Sequence, residues 1–355
     1  MCGIAGELRF DQVMADLHAV ADMTRDQARR GPNGEGLFGL GARAFGHRRL
    51  RIMDLSQRAH QPFVDNDLGL GVVFNGAIYN HHELRQELAG KGYRFASTGD
   101  TEVVLKAWHA WGPAALDRFA GRFAFALWER DSGVTHLVRD RLGIKPLYYS
   151  QTAQRLRFAS TLPALLAGGD VDTTLDPVAL HHYLSLHAVV PAPHAWWRLD
   201  FGPSAADIVR PFEAWRDLTL TALRAAVRRR TVADVPLGVL LSGGVGSSLI
   251  TGLLAETGTP DLRTYAIGFE IVGGEAGDEF HYSDLVANHF GTHHEKMMIP
   301  AADLLSALPD AIDAMSEPAV SHDCVAFYLL SAAVAKHSCV VQSGQGADEV
   351  FGGYH

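Results

Sequence analysis

The chain has 355 residues, enough for two domains or one large one. Hydrophobic residues make up 47% of it and charged residues 20%, an ordinary globular balance that excludes a disordered chain. The formal net charge of −9 excludes the electrostatic footprint of a general nucleic-acid binder, and no apolar run reaches the roughly 18 residues that span a bilayer. The opening residues, MCGIAGELRF, carry no basic segment followed by an apolar core, so no secretory signal is expected. Cys2, Cys324 and Cys339 are too few and too scattered for a disulfide framework or a zinc site. These features together lead us to expect a reducing, cytoplasmic, two-domain enzyme with neither nucleic acid nor membrane as a partner.

Up to about residue 165 the pattern is of short strands broken by turn signals. Strands are predicted at Gly3–Arg9, Ala44–Met53, Leu70–Asn75, Phe123–Glu129, Val134–Arg139 and Leu147–Ser150, with amphipathic helices at Ala15–Arg29, His82–Lys91 and Thr101–Gly112. The last helix opens on Thr101–Glu102, an acidic first turn that suits the helix dipole. Strands paired in sheets with helices outside them make a layered α+β domain over 1–190. Residues 191–212 break the periodicity with four prolines, one in a Gly-Pro pair, and read as a linker in which Trp196 and Trp197 form an interdomain packing patch. From Glu213 the pattern alternates: helix Trp215–Arg230, strand Leu237–Leu241, helix Ser247–Glu256, strand Arg263–Phe269, helix Tyr282–Phe290, strand Glu295–Ile299, two helices across 301–337, and strand Cys339–Gln342. Apolar strands joined by crossover helices predict a parallel, doubly wound α/β sheet over 213–355. His281, His293 and His294 have no matching ligand cluster and read as structural, and Cys324 and Cys339 read as small apolar packing residues.

Cys2 directly follows Met1. Removal of the initiator would leave a residue carrying both thiol and α-amine. The amine, with a reference pKa of roughly 7.7–8.0, can serve as base for its own thiol, a compact device for cleaving an amide. Alone, Cys2 would pass for an accident of position. Five further segments accompany it: RGPNGEG (Arg30–Gly36), HRRLRIMD (His47–Asp54), FNGAIYN (Phe74–Asn80), STGDTEV (Ser97–Val103) and DRLGIKPLYY (Asp140–Tyr149). With MCGIAG they resemble, in the correct order, the class II glutamine amidotransferase domain, an N-terminal-nucleophile hydrolase of αββα layers. A glutamine site needs a cation for the α-carboxylate, an anion for the α-amine and donors for a tetrahedral oxyanion. The resemblance implies that Arg49 takes the carboxylate, within a glutamine-binding stretch of Arg49, Leu50, Arg51, Ile52 and Met53, and that Asp100 takes the ammonium. It places Asn75 and Gly76 as the oxyanion hole beside Cys2. Ala77 stands where the family's usual Asn-Gly-Glu has its carboxylate, a loss expected to tune glutamine binding without abolishing it.

Pro236–Ser248, PLGVLLSGGVGSS, runs from a buried strand through Ser-Gly-Gly into a helix. Backbone N–H groups at such a helix start make an anion site. No Gly-Lys-Ser/Thr follows, so this is not a Walker loop, and Ser-Gly-Gly alone reads equally well as a generic glycine turn. The segment resembles the SGGxDSS pyrophosphate loop of enzymes that cleave ATP to AMP. Ser343–Tyr354, SGQGADEVFGGY, is similar to the SGEGADE-FGGY segment of asparagine synthetases. Both halves thus resemble the glutamine-hydrolysing asparagine synthetase family, whose second domain is a Rossmann-like ATP pyrophosphatase. By that resemblance Leu241, Ile267, Ser343 and Gly344 line the nucleotide site, Ser242, Gly243, Gly244, Ser247 and Ser248 hold its phosphates, and Asp348 helps to position Mg2+.

The implied chemistry is glutamine hydrolysis at Cys2 and transfer of the ammonia, through an internal tunnel, to a carboxylate that ATP has adenylated. The acceptor is aspartate or the terminal carboxylate of a dipeptide. The second choice comes from SGQGADEVF, HAVVPAP (His187–Pro193) and GGEAGDEF (Gly273–Phe280), which resemble the N-acetylglutaminylglutamine amide synthase branch. The resemblance leaves room for a homodimer. Gly246 replaces the Asp of SGGxDSS, Gln345 replaces a Glu, the linker is short, and the sequence stops at His355 where the family continues with a helical segment. Two alternatives therefore stay open: a truncated or decayed copy with glutaminase activity only, and a non-enzymatic remnant.

Overall fold

The computed structural model describes residues 1–186, 202, 205–270, 279–317 and 323–351. The expectations placed on His187–Pro193, Trp196, Trp197, most of Gly273–Phe280 and the end of the FGGY segment lie outside the described residues. The chain divides into two compact units, Met1–Phe201 and Gly202–His355.

In the first unit, β1 (Gly3–Arg9), β2 (Gly34–Leu40), β3 (Arg43–Arg49), β8 (Tyr148–Gln151) and β9 (Arg155–Ala159) form one antiparallel sheet, in the order β2-β3-β1-β9-β8. A second contains β4 (Phe63–Asp65), β5 (Leu70–Ile78), β6 (Gly121–Glu129) and β7 (Thr135–Arg139) in sequence order. Side-chain alternation along the strands makes the layers. Val73 of β5 and Ala124, Ala126 and Trp128 of β6 point between the sheets to meet Ile4, Phe45 and Phe158, with Trp128 stacked on Phe45 at 4.2 Å. Their neighbours Val72, Phe74, Phe123 and Phe125 face outward onto α2 (His81–Gly90) and α3 (Asp100–Trp111). On the first sheet, Ala5, Ala44 and Ala159 face outward onto α1 (Leu17–Asp26) and α5 (Leu162–Ala167). The order is helix, sheet, sheet, helix; α4 (Ala115–Arg118) and α6 (Pro177–Leu186) complete the unit.

Two departures from the predicted strands matter for the site. Three of the seven residues of β2 are glycine, which hides it as a strand, yet it pairs along its whole length with β3. An added Cβ at Gly36 would lie 2.0 Å from the Gln61 carbonyl, so close backbone approach is what that glycine serves. Second, β3 stops at Arg49 rather than Met53. The Arg49 guanidinium donates to the carbonyls of Asp54 and, at 2.7 Å, Ser56, and Asp54 takes a left-handed φ of 49°, so the chain folds back over its own arginine.

In the second unit, β10 (Leu237–Leu240), β11 (Arg263–Phe269), β12 (His293–Ile299) and β13 (Val340–Gln342) are parallel, in the order β12-β11-β10-β13. Val239 packs with Val227 of α8 (Phe212–Arg229) and with Leu253 and Leu254 of α9 (Val245–Glu256). Leu240 and Tyr265 pack instead with Leu330 and Val334 of α12 (Asp323–Val334), so both faces of the sheet carry helices. The remaining helices are α7 (Ala205–Ile208), α10 (Phe280–Phe290), α11 (Ala301–Ala314) and α13 (Ala347–Phe351). The stretch 191–212, expected as linker, contains α7 and the first residue of α8. His294 is held by Thr264 (2.9 Å) and Ser283 (3.1 Å). Cys339, expected to pack, is exposed, while Cys324 is half-buried. No described helix is long and apolar enough to cross a membrane.

Candidate active site

β1 opens with Gly3 paired to Arg48 of β3, which sets Cys2 beside the residues leaving β3. The Leu50 N–H donates to Cys2 Sγ at 3.4 Å. Burial raises the thiol pKa; the Leu50 amide, the N-terminal ammonium and Lys145 oppose that rise, while Asp100 adds to it. The ammonium, here on Met1, donates to the Arg30 carbonyl at 3.1 Å. Burial, with Arg30, Lys145 and Arg122 nearby, lowers its pKa to about 5.

Arg49 is buried and its pKa is lowered, first by burial. The Arg51 N–H donates to Asn33 Oδ1 at 3.0 Å, and Leu50, Ile52 and Met53 are half-buried around it. Asp54 ties this turn to a second loop: its Oδ1 accepts the Ser56 N–H at 3.0 Å and its Oδ2 the Thr98 N–H at 2.7 Å. Arg85 fixes that loop by donating to the carbonyls of Ser97 (2.7 Å) and Gly99 (2.6 Å). The loop delivers Asp100 at the start of α3, where its Oδ2 accepts the Ile78 N–H at 2.9 Å. Burial pushes the Asp100 pKa up to about 6 against the pull of its amide donors and of Arg85.

Asn75 lies on β5, whose sheet faces β1 and β3, and is 1% exposed. Its Nδ2 has no hydrogen-bond partner among the described residues. A buried amide donor left this way costs about 1–3 kcal/mol, so the position asks for an acceptor. At Gly76 an added Cβ would lie 2.5 Å from the Arg122 carbonyl, and Ala77 stands directly opposite Arg122 in the β5–β6 register. Three more buried N–H groups lack partners among the described residues, on Arg30, Arg51 and Arg122. Cys2 thus sits in donor-rich ground, within electrostatic reach of Arg49, Asp100, Arg30 and Lys145. Arg30 and Lys145 lie inside the motifs RGPNGEG and DRLGIKPLYY, neither of which assigns them a role from sequence alone.

In the second unit the chain leaves β10 for β11 and β12 and returns as β13 on the other side of β10. The reversal between β10 and β13 is where a parallel α/β sheet opens a crevice at its carboxyl ends. Both glycine loops emerge there. Gly243 has φ +97°, and a Cβ on it would lie 2.6 Å from Tyr282 Cβ. Gly244 caps α9 without a side-chain bond, so among the described residues no capping side chain covers the first N–H groups of that helix, the donors an anion would use. Ser242 Oγ bonds Ser247 Oγ at 3.1 Å and Ser248 Oγ donates to the Gly243 carbonyl at 3.3 Å, fastening the loop on itself. The loop after β13 touches it backbone to backbone: a Cβ on Gly344 would lie 2.5 Å from Gly246 C and Ser247 N. Leu241 is buried, Ser343 is exposed, and Ile267 lines an apolar cavity of about 720 Å³ with Leu304, Leu308, Phe327 and Leu330.

Gly344→Ala is therefore expected to separate the two loops. The substitution should destabilise the chain by about 1–3 kcal/mol, which thermal denaturation beside the wild type checks. Asp348 and its neighbour Glu349 are exposed carboxylates in the first turn of α13, and no three carboxylate, imidazole or thiol groups converge among the described residues. Because Mg2+ is commonly held by one or two carboxylates together with ligand phosphates, Asp348 and Glu349 are the groups of this helix that would hold it.

Residues 1–199 match the family model described as a glutamine amidotransferase domain, and 219–355 that described as asparagine synthase. The chain is 30% identical over 384 aligned positions to "Asparagine synthetase [glutamine-hydrolyzing] 1" of Bacillus subtilis (strain 168), covering all of this chain and 59% of that protein. It is 30% identical over 393 positions to "Asparagine synthetase [glutamine-hydrolyzing] 3" of the same organism, covering all of this chain and 63% of that one. It thus spans about three fifths of the length of these relatives. Among solved structures, the glutamine phosphoribosylpyrophosphate amidotransferase of B. subtilis matches 84% of this chain and 90% of its own at 15% identity and a TM-score of 0.43, too loose to bear on the fold. The chain belongs to the glutamine-hydrolysing asparagine synthetase family.

Proposed function

We propose that this family member is a glutamine-dependent, ATP-consuming amidotransferase whose first unit releases ammonia from glutamine at Cys2. The observation that carries this reading is the unpartnered, buried Asn75 amide on the sheet facing the Cys2 strand, a donor waiting for an oxyanion. With Met1 removed, the α-amine belongs to Cys2. It takes the thiol proton, and Sγ bonds to the side-chain amide carbon of glutamine. The oxygen of that carbon becomes an oxyanion that accepts from Asn75 Nδ2 and the Gly76 N–H. The C–N bond then breaks, the leaving nitrogen takes the proton back from the amine, and a glutamyl thioester remains for water to hydrolyse to glutamate. Arg49 holds the substrate carboxylate and Asp100 its ammonium, with Leu50, Arg51, Ile52 and Met53 lining the pocket. Ala77 brings no carboxylate, which leaves Asp100 as the group that pairs with the ammonium.

That last role gives a pH dependence. A neutral Asp100 cannot pair with the ammonium, and its pKa of about 6 lies well above an ordinary carboxyl. The KM for glutamine is expected to rise as pH falls through 6, approaching about tenfold per unit. Asp100→Asn should begin with a raised KM and show no such rise; steady-state kinetics from pH 5 to 8 read both.

In the second unit, the acceptor carboxylate attacks the α-phosphorus of ATP. Pyrophosphate leaves onto the loop of Ser242, Gly243, Gly244, Ser247 and Ser248, and Leu241, Ile267, Ser343 and Gly344 hold the nucleoside. Ammonia then displaces AMP from the acyl adenylate. The first N–H groups of α9, which no side chain caps among the described residues and which lie at the sheet's point of reversal, support this reading. The acceptor is aspartate or the terminal carboxylate of a dipeptide such as N-acetylglutaminylglutamine, a branch suggested by Gln345 in place of Glu. One observation favours a second reading, glutaminase without synthetase: Gly246 supplies no carboxylate, and a Cβ there would meet the Gly344 carbonyl at 3.3 Å. AMP release from ATP and glutamine, with each acceptor offered separately, decides. AMP dependent on one acceptor establishes the synthetase, whereas glutamate without AMP from either leaves the glutaminase alone.

A further inference from the structure

Lys145 is held in place by the turn after β7, which Asp140 ties to β6 by accepting the Phe123 N–H at 3.1 Å. Asp140 Oδ2 accepts the Lys145 N–H at 3.0 Å, and its Oδ1 accepts those of Leu142 (3.1 Å) and Ile144 (3.0 Å). Arg139 clasps the same turn through the carbonyls of Gly143 (2.6 Å) and Lys145 (2.9 Å). The Lys145 side chain is carried to the N-terminus, 4% exposed, where Nζ donates to Met1 Sδ at 2.9 Å. A thioether is a poor acceptor for an ammonium, and it is the hydrogen-bond partner that leaves when Met1 is removed. Among the described residues no carboxylate lies within ion-pair distance of Nζ. The charged groups facing it are Arg122 from β6, Arg30 from the turn before β2, Asp140 from its own turn, the N-terminal ammonium, and Cys2. Arg30 also donates to the Cys2 carbonyl at 3.4 Å, and both arginines keep a buried N–H without a partner among the described residues. Buried cations arranged like this need an anion.

We propose that Lys145 is a positioning residue for the glutaminase reaction above: once Met1 is gone, its ammonium faces Cys2 across the space the methionine leaves, favours the thiolate and keeps the new α-amine unprotonated. The inference rests on the proposed role of Cys2 as nucleophile. The sign follows from Coulomb's law in a low dielectric, where a cation stabilises a nearby anion and destabilises a second cation. The N-terminal ammonium already shows the second effect, with Lys145 among the groups that lower its pKa to about 5. Lys145 is itself brought to about 7 by burial and by Arg122 and Arg30, while Cys2 and Asp140 draw it upward. Forming the thiolate therefore strengthens the charge on Lys145, and the two groups titrate as a coupled pair.

The test is the rate of Cys2 alkylation by iodoacetamide against pH, read by mass spectrometry on the full chain after its intact mass confirms loss of Met1. Lys145→Met should move the midpoint upward by about one pH unit and lower kcat for glutamine about tenfold with KM little changed, while Lys145→Arg keeps the original midpoint. Lys145→Gln replaces Lys145→Met if the latter melts below the assay temperature. An unchanged midpoint in the neutral variant overturns the proposal. Iodoacetamide does not use the glutamine pocket, so its profile reads Lys145 even if wild-type protein proves unable to hydrolyse glutamine, a result that would instead overturn the glutaminase reading.

Discussion

Cys2→Ala is expected to lower glutamine hydrolysis by at least about 10³-fold and to leave the rest of the molecule working. In the proposed mechanism the thiol is the atom that bonds to substrate, and no other described cysteine lies in the first unit to replace it. Its structural contribution is small: Sγ accepts from the Leu50 N–H at 3.4 Å and donates to the Leu50 carbonyl at 3.6 Å, long sulfur hydrogen bonds whose loss costs about 1 kcal/mol. Glutamine should still bind through Arg49 and Asp100. ATP-dependent amidation should return when ammonium salt replaces glutamine, because the second unit needs the nitrogen and not its source. Parallel assays of glutamate release and AMP formation, with glutamine and with ammonium, separate these effects. Unchanged glutamate release in the variant would remove Cys2 from the chemistry.

Asn75→Ala carries the second large effect, and an unusual pairing of outcomes. Loss of one oxyanion donor costs about 10²–10³ in kcat, whereas most buried amides also support the fold. This one has no partner on Nδ2 among the described residues, so its removal relieves an unsatisfied donor and opens a small cavity in exchange. The melting temperature is expected to stay within a few degrees of wild type while kcat collapses and KM holds. A fall in stability that tracks the fall in activity would mean that Asn75 serves the sheet and not the oxyanion.

Much of this architecture was legible in the sequence because hydrophobic alternation reports it directly. β1, β6 and β11 follow the predicted strands within two residues at either end, since their side chains sort strictly between two packed faces. β2 escaped because its glycines carry no pattern; it exists through pairing with β3, a long-range fact. The end of β3 escaped for the opposite reason: residues 50–53 look like continued strand, but Arg49 turns the chain by bonding to carbonyls that follow it. Among site residues, the motifs marked Cys2, Arg49, Asn75, Asp100 and the two glycine loops. What they could not mark was the coupling. The Asp54 bridge between two loops, the Lys145 ammonium beside Met1 and the contact of Gly344 with Gly246 each join residues far apart in the chain. A single sequence gives no signal for such pairs. Asp348 shows the converse limit, a motif residue that joins no cluster of three ligating groups among the described residues.

The central claim is that Cys2 is the nucleophile of a glutamine site, and covalent labelling tests it most directly. The full chain, with loss of Met1 confirmed by intact mass, would be incubated with the diazoketone analogue of glutamine and weighed again. The account predicts one adduct per chain, mapped to Cys2, suppressed by excess glutamine and absent from Cys2→Ala. A wild-type protein that stays unlabelled, or an adduct that persists in Cys2→Ala, would contradict it.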